Sequence, residues 1–130
     1  MPIIEFTDTT AYLEKFTEMC AKNEPFVVYL TGGVNAESGK SWCPDCDVAR
    51  PTIKEHLLDK TELTVLKGVV EERNSWVGVS SHPYKAHPVI KAGGVPSVCL
   101  VSGNTVLMRA ESEEDLKNGE LLELMAACSE

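Results

Sequence analysis

The sequence predicts an α/β protein, with a central mixed β-sheet flanked by helices on both faces. Three observations carry that expectation. Apolar, β-prone runs alternate with segments whose apolar residues recur at helical spacing. The run 26–30, Phe-Val-Val-Tyr-Leu, is continuously apolar, the mark of a strand covered on both sides. Two further runs, 97–101 and 105–109, flank Gly103-Asn104, as in an antiparallel hairpin closing an otherwise parallel sheet.

Along the chain, 3–6 is an optional first strand. Asp8, Thr9 and Thr10 are cap-type residues, and behind them Leu13, Phe16 and Cys20 fall at helical spacing until Asn23-Glu24-Pro25 stops the helix. After the strand at 26–30, the Gly-rich, polar stretch 31–41 reads as a loop. The segment 44–58 reads as a helix in which Val48, Ile53 and Leu57 are apolar, with a kink at Pro51. A second buried strand is expected over 63–70, then a long connection over 71–83 containing Trp76, and at most a short helix over 84–91 because Pro88 interrupts it. The last segment opens on the capping pattern Ser112-Glu113-Glu114-Asp115. It ends with Leu121, Leu124, Met125 and Cys128 on one face. Gly119 costs about 1 kcal/mol against alanine inside a helix, so a start near Asn118 fits better.

The chain of 130 residues, 43% of them apolar, suits a single domain over 1–130. No apolar run approaches the roughly 18 residues that span a bilayer, and the N-terminal residues resemble neither a signal nor a transit peptide. A cytoplasmic, monomeric protein is the expectation. The net charge of −8 speaks for solubility and against nucleic acid or anionic membranes as partners.

Five cysteines is an odd number, and only Cys43 and Cys46 are close together. A secreted disulfide scaffold would be denser and even in count, so the lone CxxC points to redox chemistry or half a metal site. Trp42-Cys43-Pro44-Asp45-Cys46 lies where a loop after a buried strand enters a helix. Cys43 at the N-cap faces unpaired backbone N–H groups and the positive end of the helix dipole, which favour a thiolate. Pro44 has the φ of a first helical residue. Cys46, one turn inward, is within reach of a disulfide with Cys43 and would resolve a mixed disulfide. Asp45 favours the helix start but repels a thiolate, so it tempers the acidity of Cys43 and makes the rim less welcoming to acidic partners. A zinc site would need two more ligands, and the sequence offers no second CxxC or HxxxH. His56, His82 and His87 are scattered, so no metal is expected. A second signal is Gly94-Val95-Pro96-Ser97 before an apolar strand, where an X-Pro bond can be cis and expose the backbone of Val95.

These two motifs resemble those of the thioredoxin superfamily, and within it a subfamily of 14-kDa thioredoxin-related proteins. The likeness covers most of the chain, including Thr31-Gly32, an inserted loop ending Gly39-Lys40-Ser41, and WCPDC in place of the more common WCGPC. The resemblance implies a thioredoxin fold, Cys43 as attacking and Cys46 as resolving cysteine, and a cis Pro96 beside them. It further implies a groove formed with Trp42, Val95 and Pro96, tuning by Pro44 and Asp45, and the helix-kinking role for Pro51. The implied activity is disulfide reduction, on cystine, other small disulfides and selected proteins, with no bound cofactor. Electrons would come from NADPH through thioredoxin reductase, and peroxidase activity is also ascribed to the subfamily.

One departure concerns proton transfer. The buried Asp that thioredoxins carry in the second strand is replaced by Tyr29, which leaves Asp45 or water to handle the proton of Cys46. Lys67 matches the lysine that normally pairs with that acid, and here reads as a strand-edge residue reaching solvent. Trp76 and Tyr84 suit either a groove wall or core packing, and Cys99 reads as an inert buried thiol. Cys20 and Cys128 read as helix-face packing residues. Two other functions stay open. One is a glutathione-dependent, glutaredoxin-like reductase, suggested by the CPxC order. The other is a redox-gated binding module that docks a partner through the loops 31–41 and 71–83.

Overall fold

The computed structural model describes residues 3–128. Five strands form one mixed sheet in the order β1-β3-β2-β4-β5. They are β1 (Ile3–Phe6), β2 (Phe26–Gly32), β3 (Val65–Val70), β4 (Ser97–Ser102) and β5 (Thr105–Ala110). β1 and β2 both pair parallel with β3, whereas β4 runs antiparallel to β2 and forms a hairpin with β5. The expected mixed sheet is therefore present, and the optional N-terminal strand is its parallel edge. At the hairpin tip Gly103 takes a positive φ of 59°, as the first residue of a two-residue turn requires.

Helices cover both faces: α1 (Thr9–Ala21), α2 (Pro44–Ile53), α3 (Pro83–Ala86), α4 (Glu113–Lys117) and α5 (Gly119–Ala126). Asp8 caps α1 by accepting from the Thr10 N–H at 3.1 Å, and Ser112 caps α4 by accepting from Asp115 at 3.1 Å. The C-terminal segment is two helices, because Asn118 caps the second one through Leu121 N–H at 3.2 Å. Glycine is needed at 119 because a Cβ there would lie 2.8 Å from the His56 ring, which itself contacts Glu123 at 2.5 Å. That pair ties α5 to the chain just after α2. There, beyond Pro51, regular helix gives way to π-helical turns over Lys54–Leu58.

Alternation along the strands divides the core in two. Phe26, Val28 and Leu30 point to a side rich in rings, with Tyr12 and Phe16 of α1, Trp76 and Tyr84. Val27, Tyr29 and Val98 point to a mostly aliphatic side with Ala49, Ile53, Leu57, Leu122 and Met125. Tyr12 shows how tightly the first side is fitted. It is fully buried, its hydroxyl donates to the Leu66 carbonyl at 3.0 Å, and its ring leaves no room for a side chain at Gly68. Burying a side chain of this size contributes roughly 1.5–3 kcal/mol.

Several expectations about facing are corrected. α1 buries Tyr12 and Met19 alongside Phe16 and Cys20, with Leu13 only partly covered. In α2 the inward stripe is Cys46, Ala49 and Ile53, continuing to Leu57, so Val48 faces outward and is 61% exposed. Val48 is two residues from Cys46, which places it on the far side of the helix. In α5 the buried residues are Leu122, Met125 and Ala126, while Leu124 faces solvent. Lys67 is not at a sheet edge, since β3 lies between β1 and β2; it pairs with Glu5 at 3.1 Å and approaches the Tyr29 ring. Trp76 and Tyr84 are core residues, 5% and 1% exposed, and not groove walls.

Candidate functional site

The site forms where β2 ends, α2 begins and the loop before β4 returns. Pro44 is the first residue of α2 and Cys43 its N-cap, with the Cys43 sulfur accepting from the Cys46 N–H at 3.3 Å. Proline at that position loses no hydrogen bond, because the first N–H groups of a helix have no partner inside it. Cys43 is 7% exposed and Cys46 fully buried, and both are reduced. The Cys46 sulfur accepts from the Gly32 N–H at 3.3 Å. The Cys43 sulfhydryl donates to the Val95 carbonyl at 3.4 Å, and the Val95-Pro96 bond is cis. Trp42 is half-buried, its indole N–H donating to the Val70 carbonyl at 2.7 Å. The structure thus brings the Cys43–Cys46 pair and Val95 together, while Trp42 lines one cleft and Val95 and Pro96 another, so the expected common groove of these three is not formed.

Sequence reasoning missed what holds this arrangement. The Ser41 hydroxyl accepts from the Cys43 N–H at 3.0 Å. Ser41 is itself held by Asp47, whose two carboxylate oxygens accept from its N–H at 3.1 Å. Arg50 completes the chain, donating to Asp47 at 2.8 Å, and together these donors hold the Asp47 carboxyl below its usual range. A carboxylate in the first turn of α2 with an arginine three residues on was the available signal. What sequence could not show is that the inserted loop returns to it. Gly32 is the other missed residue. A Cβ there would lie 2.8 Å from Ser41 Oγ and 3.0 Å from both Cys43 and Trp42, so any side chain would displace the dithiol.

Electrostatics correct a further expectation. Burial is the main influence on the Cys43 thiol and pushes it up; the neighbouring Cys46 sulfhydryl and the exposed Asp45 carboxylate push the same way. The Cys46 N–H at the helix start pulls it down. The tempering by Asp45 is present, but desolvation outweighs the acidifying helix start in the reduced, closed dithiol. Tyr29, at the position of the missing acid, is 2% exposed, and burial likewise raises its phenol. Thr31 and the Arg50 guanidinium act the other way on it, more weakly, and the Thr31 hydroxyl has no well-formed hydrogen bond of its own. The Cys99 thiol, 1% exposed, is pushed by burial up to about 11, in keeping with an inert core cysteine. Cys20 is also buried and raised, and Cys128 packs against the aliphatic core. No group of three or more metal-ligating side chains lies together among the described residues, and no helix there is long and apolar enough to cross a membrane.

A cleft lies on either side of the dithiol. One, of about 540 Å³, opens beside Trp42 and Gly33 and carries Arg50, Lys67, Glu5 and Glu71. The other, of about 90 Å³, lies between the start of α2 and α4, with Val95 and Pro96 in its wall.

Comparison with known proteins bears on the fold and the family. Among solved structures, thioredoxin O2 from Arabidopsis thaliana superposes with a TM-score of 0.62 at 14% identity, covering 95% of this chain and 94% of that one. A Schistosoma mansoni thioredoxin gives 0.58 at 18% identity over 96% and 99% of the two chains. These likenesses establish a thioredoxin fold. Among curated proteins, the thioredoxin-like protein Clot of Arabidopsis thaliana is 29% identical over 68% of this chain and 66% of its own. Thioredoxin domain-containing protein 17 of the fish Epinephelus coioides is 35% identical over 59% of this chain and 60% of its own. A Leishmania infantum protein named acireductone dioxygenase is 27% identical over 90% of this chain, which spans only 35% of that protein's length. The family model of the thioredoxin domain of thioredoxin domain-containing protein 17-like proteins matches residues 5–127. The chain therefore belongs to the thioredoxin domain-containing protein 17-like family of thioredoxin domains.

Proposed function

We propose that this protein is a dithiol–disulfide oxidoreductase in which Cys43 attacks and Cys46 resolves. The observation that carries the reading is the unequal exposure of two sulfurs one turn apart at a helix start. Cys43 meets the surface beside the Val95 carbonyl, while Cys46 is sealed behind it on the Gly32 N–H.

In the first step the Cys43 thiolate attacks one sulfur of a substrate disulfide. A Cys43–substrate disulfide forms, the substrate S–S bond breaks, and the departing thiolate takes a proton. In the second, the Cys46 thiolate attacks the Cys43 sulfur, releases the other substrate thiol and leaves a Cys43–Cys46 disulfide. Two electrons pass from the dithiol to the substrate. The Cys46 N–H favours the thiolate of Cys43 in the first step, and the Gly32 N–H that of Cys46 in the second. The Val95 backbone offers a docking edge for an extended substrate. NADPH restores the dithiol through thioredoxin reductase. Substrates are small disulfides such as cystine and selected protein disulfides, and the same dithiol also reduces peroxides. The protein works as a cytoplasmic monomer.

The test is NADPH consumption with thioredoxin reductase and cystine. Sustained turnover that vanishes in Cys43→Ser, with a trapped mixed disulfide in Cys46→Ser, is the expected outcome. Turnover only with glutathione and its reductase would replace the reading with a glutaredoxin-like one. An oxidisable dithiol that turns over with neither would leave the redox-gated binding module.

A further inference from the structure

The small cleft beside Cys43 combines an apolar floor with an acidic rim. Val48, 61% exposed, and Ala49 of α2 face Leu116 of α4 across it, and Pro96 closes one end. Asp45, Glu111 and Glu113 stand on the rim against one cation, Lys117. Glu111 is fixed in place by the Gly93 N–H, at 2.9 Å, and by Arg109, which does not line the cleft. Lys117 reaches Glu113 at 2.7 Å, but both are exposed, 59% and 75%, and such pairs open at little cost. Val95 belongs to the same wall, and its carbonyl is 3.4 Å from the Cys43 sulfur, so one residue separates the cleft from the reacting thiol, which does not itself line it.

We propose that this cleft selects disulfides whose cysteine is flanked by a lysine or arginine. The aliphatic stem lies along Val48, Ala49 and Leu116, and the cationic head meets the rim carboxylates. Long basic side chains are built for such a surface, since their methylenes favour apolar contact while the charge stays in water. The net charge of −8 adds attraction at longer range. The inference deepens, and rests on, the reading of Cys43 as the attacking thiol.

The experiment uses mixed disulfides of one short peptide whose cysteine is flanked by Lys, Gln or Glu, with neutral 2-hydroxyethyl disulfide as reference. Two or three rim charges, each contributing a factor of about two, predict a kcat/KM for the Lys peptide about four- to eightfold above that for the Glu peptide at low salt. The ratio should shrink towards one in 0.5 M salt, and in Glu113→Lys or the milder Glu113→Gln. Equal rates for the three peptides, or a ratio unchanged in both variants, overturn the proposal. Failure to reduce even the neutral disulfide would sink the reductase reading instead. The cleft is then judged by non-covalent binding of the same peptides with serine for cysteine. Amide shifts at Val48 and Leu116 confined to the Lys peptide support it; equal shifts with the Glu peptide refute it.

Discussion

The loops expected over 31–41 and 71–83 both looked like docking elements in the sequence. Thr31 and Gly32 belong to β2, and the structure gives the loop that follows them and the second loop opposite jobs. Residues 34–40 of the first are exposed, and the loop is held by its own turns and by Asp47. Asn35 accepts from the Glu37 and Ser38 N–H groups, and a bridge joins Val34 to Ser41. Its end, Ser41, holds the backbone of Cys43. The second loop is pinned by its side chains. Trp76 is 5% exposed, stacks edge-on against His82 with ring centres 4.8 Å apart, and has the Lys85 ammonium over its face at 4.5 Å. Loop length is therefore no guide to role. What decides it is whether the loop's anchor is a polar contact to the site or a ring in the core.

The largest effect that would break this contrast is expected at Trp76. Trp76→Ala should cost about 3–5 kcal/mol of stability by leaving a cavity in the ring-rich core. The fraction that remains folded should reduce disulfides at the normal rate, because among the described residues no hydrogen bond joins this loop to either sulfur. Urea melts beside turnover per folded molecule read both quantities. A large loss of specific activity would mean that the loop does serve the site.

Asp47→Asn should do the reverse. The substitution weakens the hold on Ser41 and Arg50, and with it the placement of the Cys43 backbone. A fall in kcat/KM of about tenfold is expected, with a small shift in melting, since misplacement of a reacting group by a fraction of an ångström has effects of that order. Unchanged kinetics would reduce Asp47 to a surface carboxylate.

How much of this was legible follows the same divide. The dithiol and the cis-proline motif could be read because their chemistry needs particular residues at fixed short spacing. The order of strands could be read only as a class. Lys67 was therefore placed at an edge, although the N-terminal strand covers β3 on that side. Leu124 was grouped on one face with Leu121, Met125 and Cys128, yet it lies off the inward stripe of its helix, as does the apolar Val48 of α2. Asp47 left a trace in its spacing from Arg50, but its contact with Ser41 left none, since the two meet only when the inserted loop folds back. The acidity of Cys43 was misjudged because a local motif shows the helix start but not the burial around it.

Acid separates the loops in a further way. Burial lowers the His82 pKa, with the charge of Lys85 adding to it, and burial also lowers that of His87. Above about pH 6.5 these residues are neutral in both states; below it the unfolded chain takes up protons that the folded one resists. Stability should thus fall as pH drops below about 6.5. In His82→Asn, which keeps an acceptor for the Tyr84 N–H now served by Nδ1 at 3.1 Å, the slope should be shallower. The contact of the first loop depends on Asp47, whose carboxyl is held below its usual range by Arg50 and the Ser41 N–H, so it stays charged throughout this pH window. Urea midpoints at pH 7.5, 6.5 and 5.5 test the sign; a flat profile would contradict it.

The smallest effect gives the sharpest comparison. Each loop carries one glycine in the left-handed region, Gly39 at φ 70° and Gly78 at φ 77°, and at neither would a Cβ meet any atom within 4 Å. Alanine at either position therefore costs only the backbone term, ~1 kcal/mol, and the two variants should melt alike. Their effects on turnover should differ. The Gly39 N–H donates to the Asn35 carbonyl at 2.8 Å, closing the turn two residues before Ser41, so strain there is relieved towards Ser41 and the Cys43 backbone. Gly78 lies two residues beyond Trp76, whose buried ring anchors that loop in the ring-rich core. Gly39→Ala should lower kcat/KM about two- to threefold, a fraction of the effect of misplacing the thiol outright, while Gly78→Ala leaves it unchanged. Equal kinetics in the pair would mean that the first loop covers the site without positioning it, and the Ser41–Asp47 contact would then be packing alone.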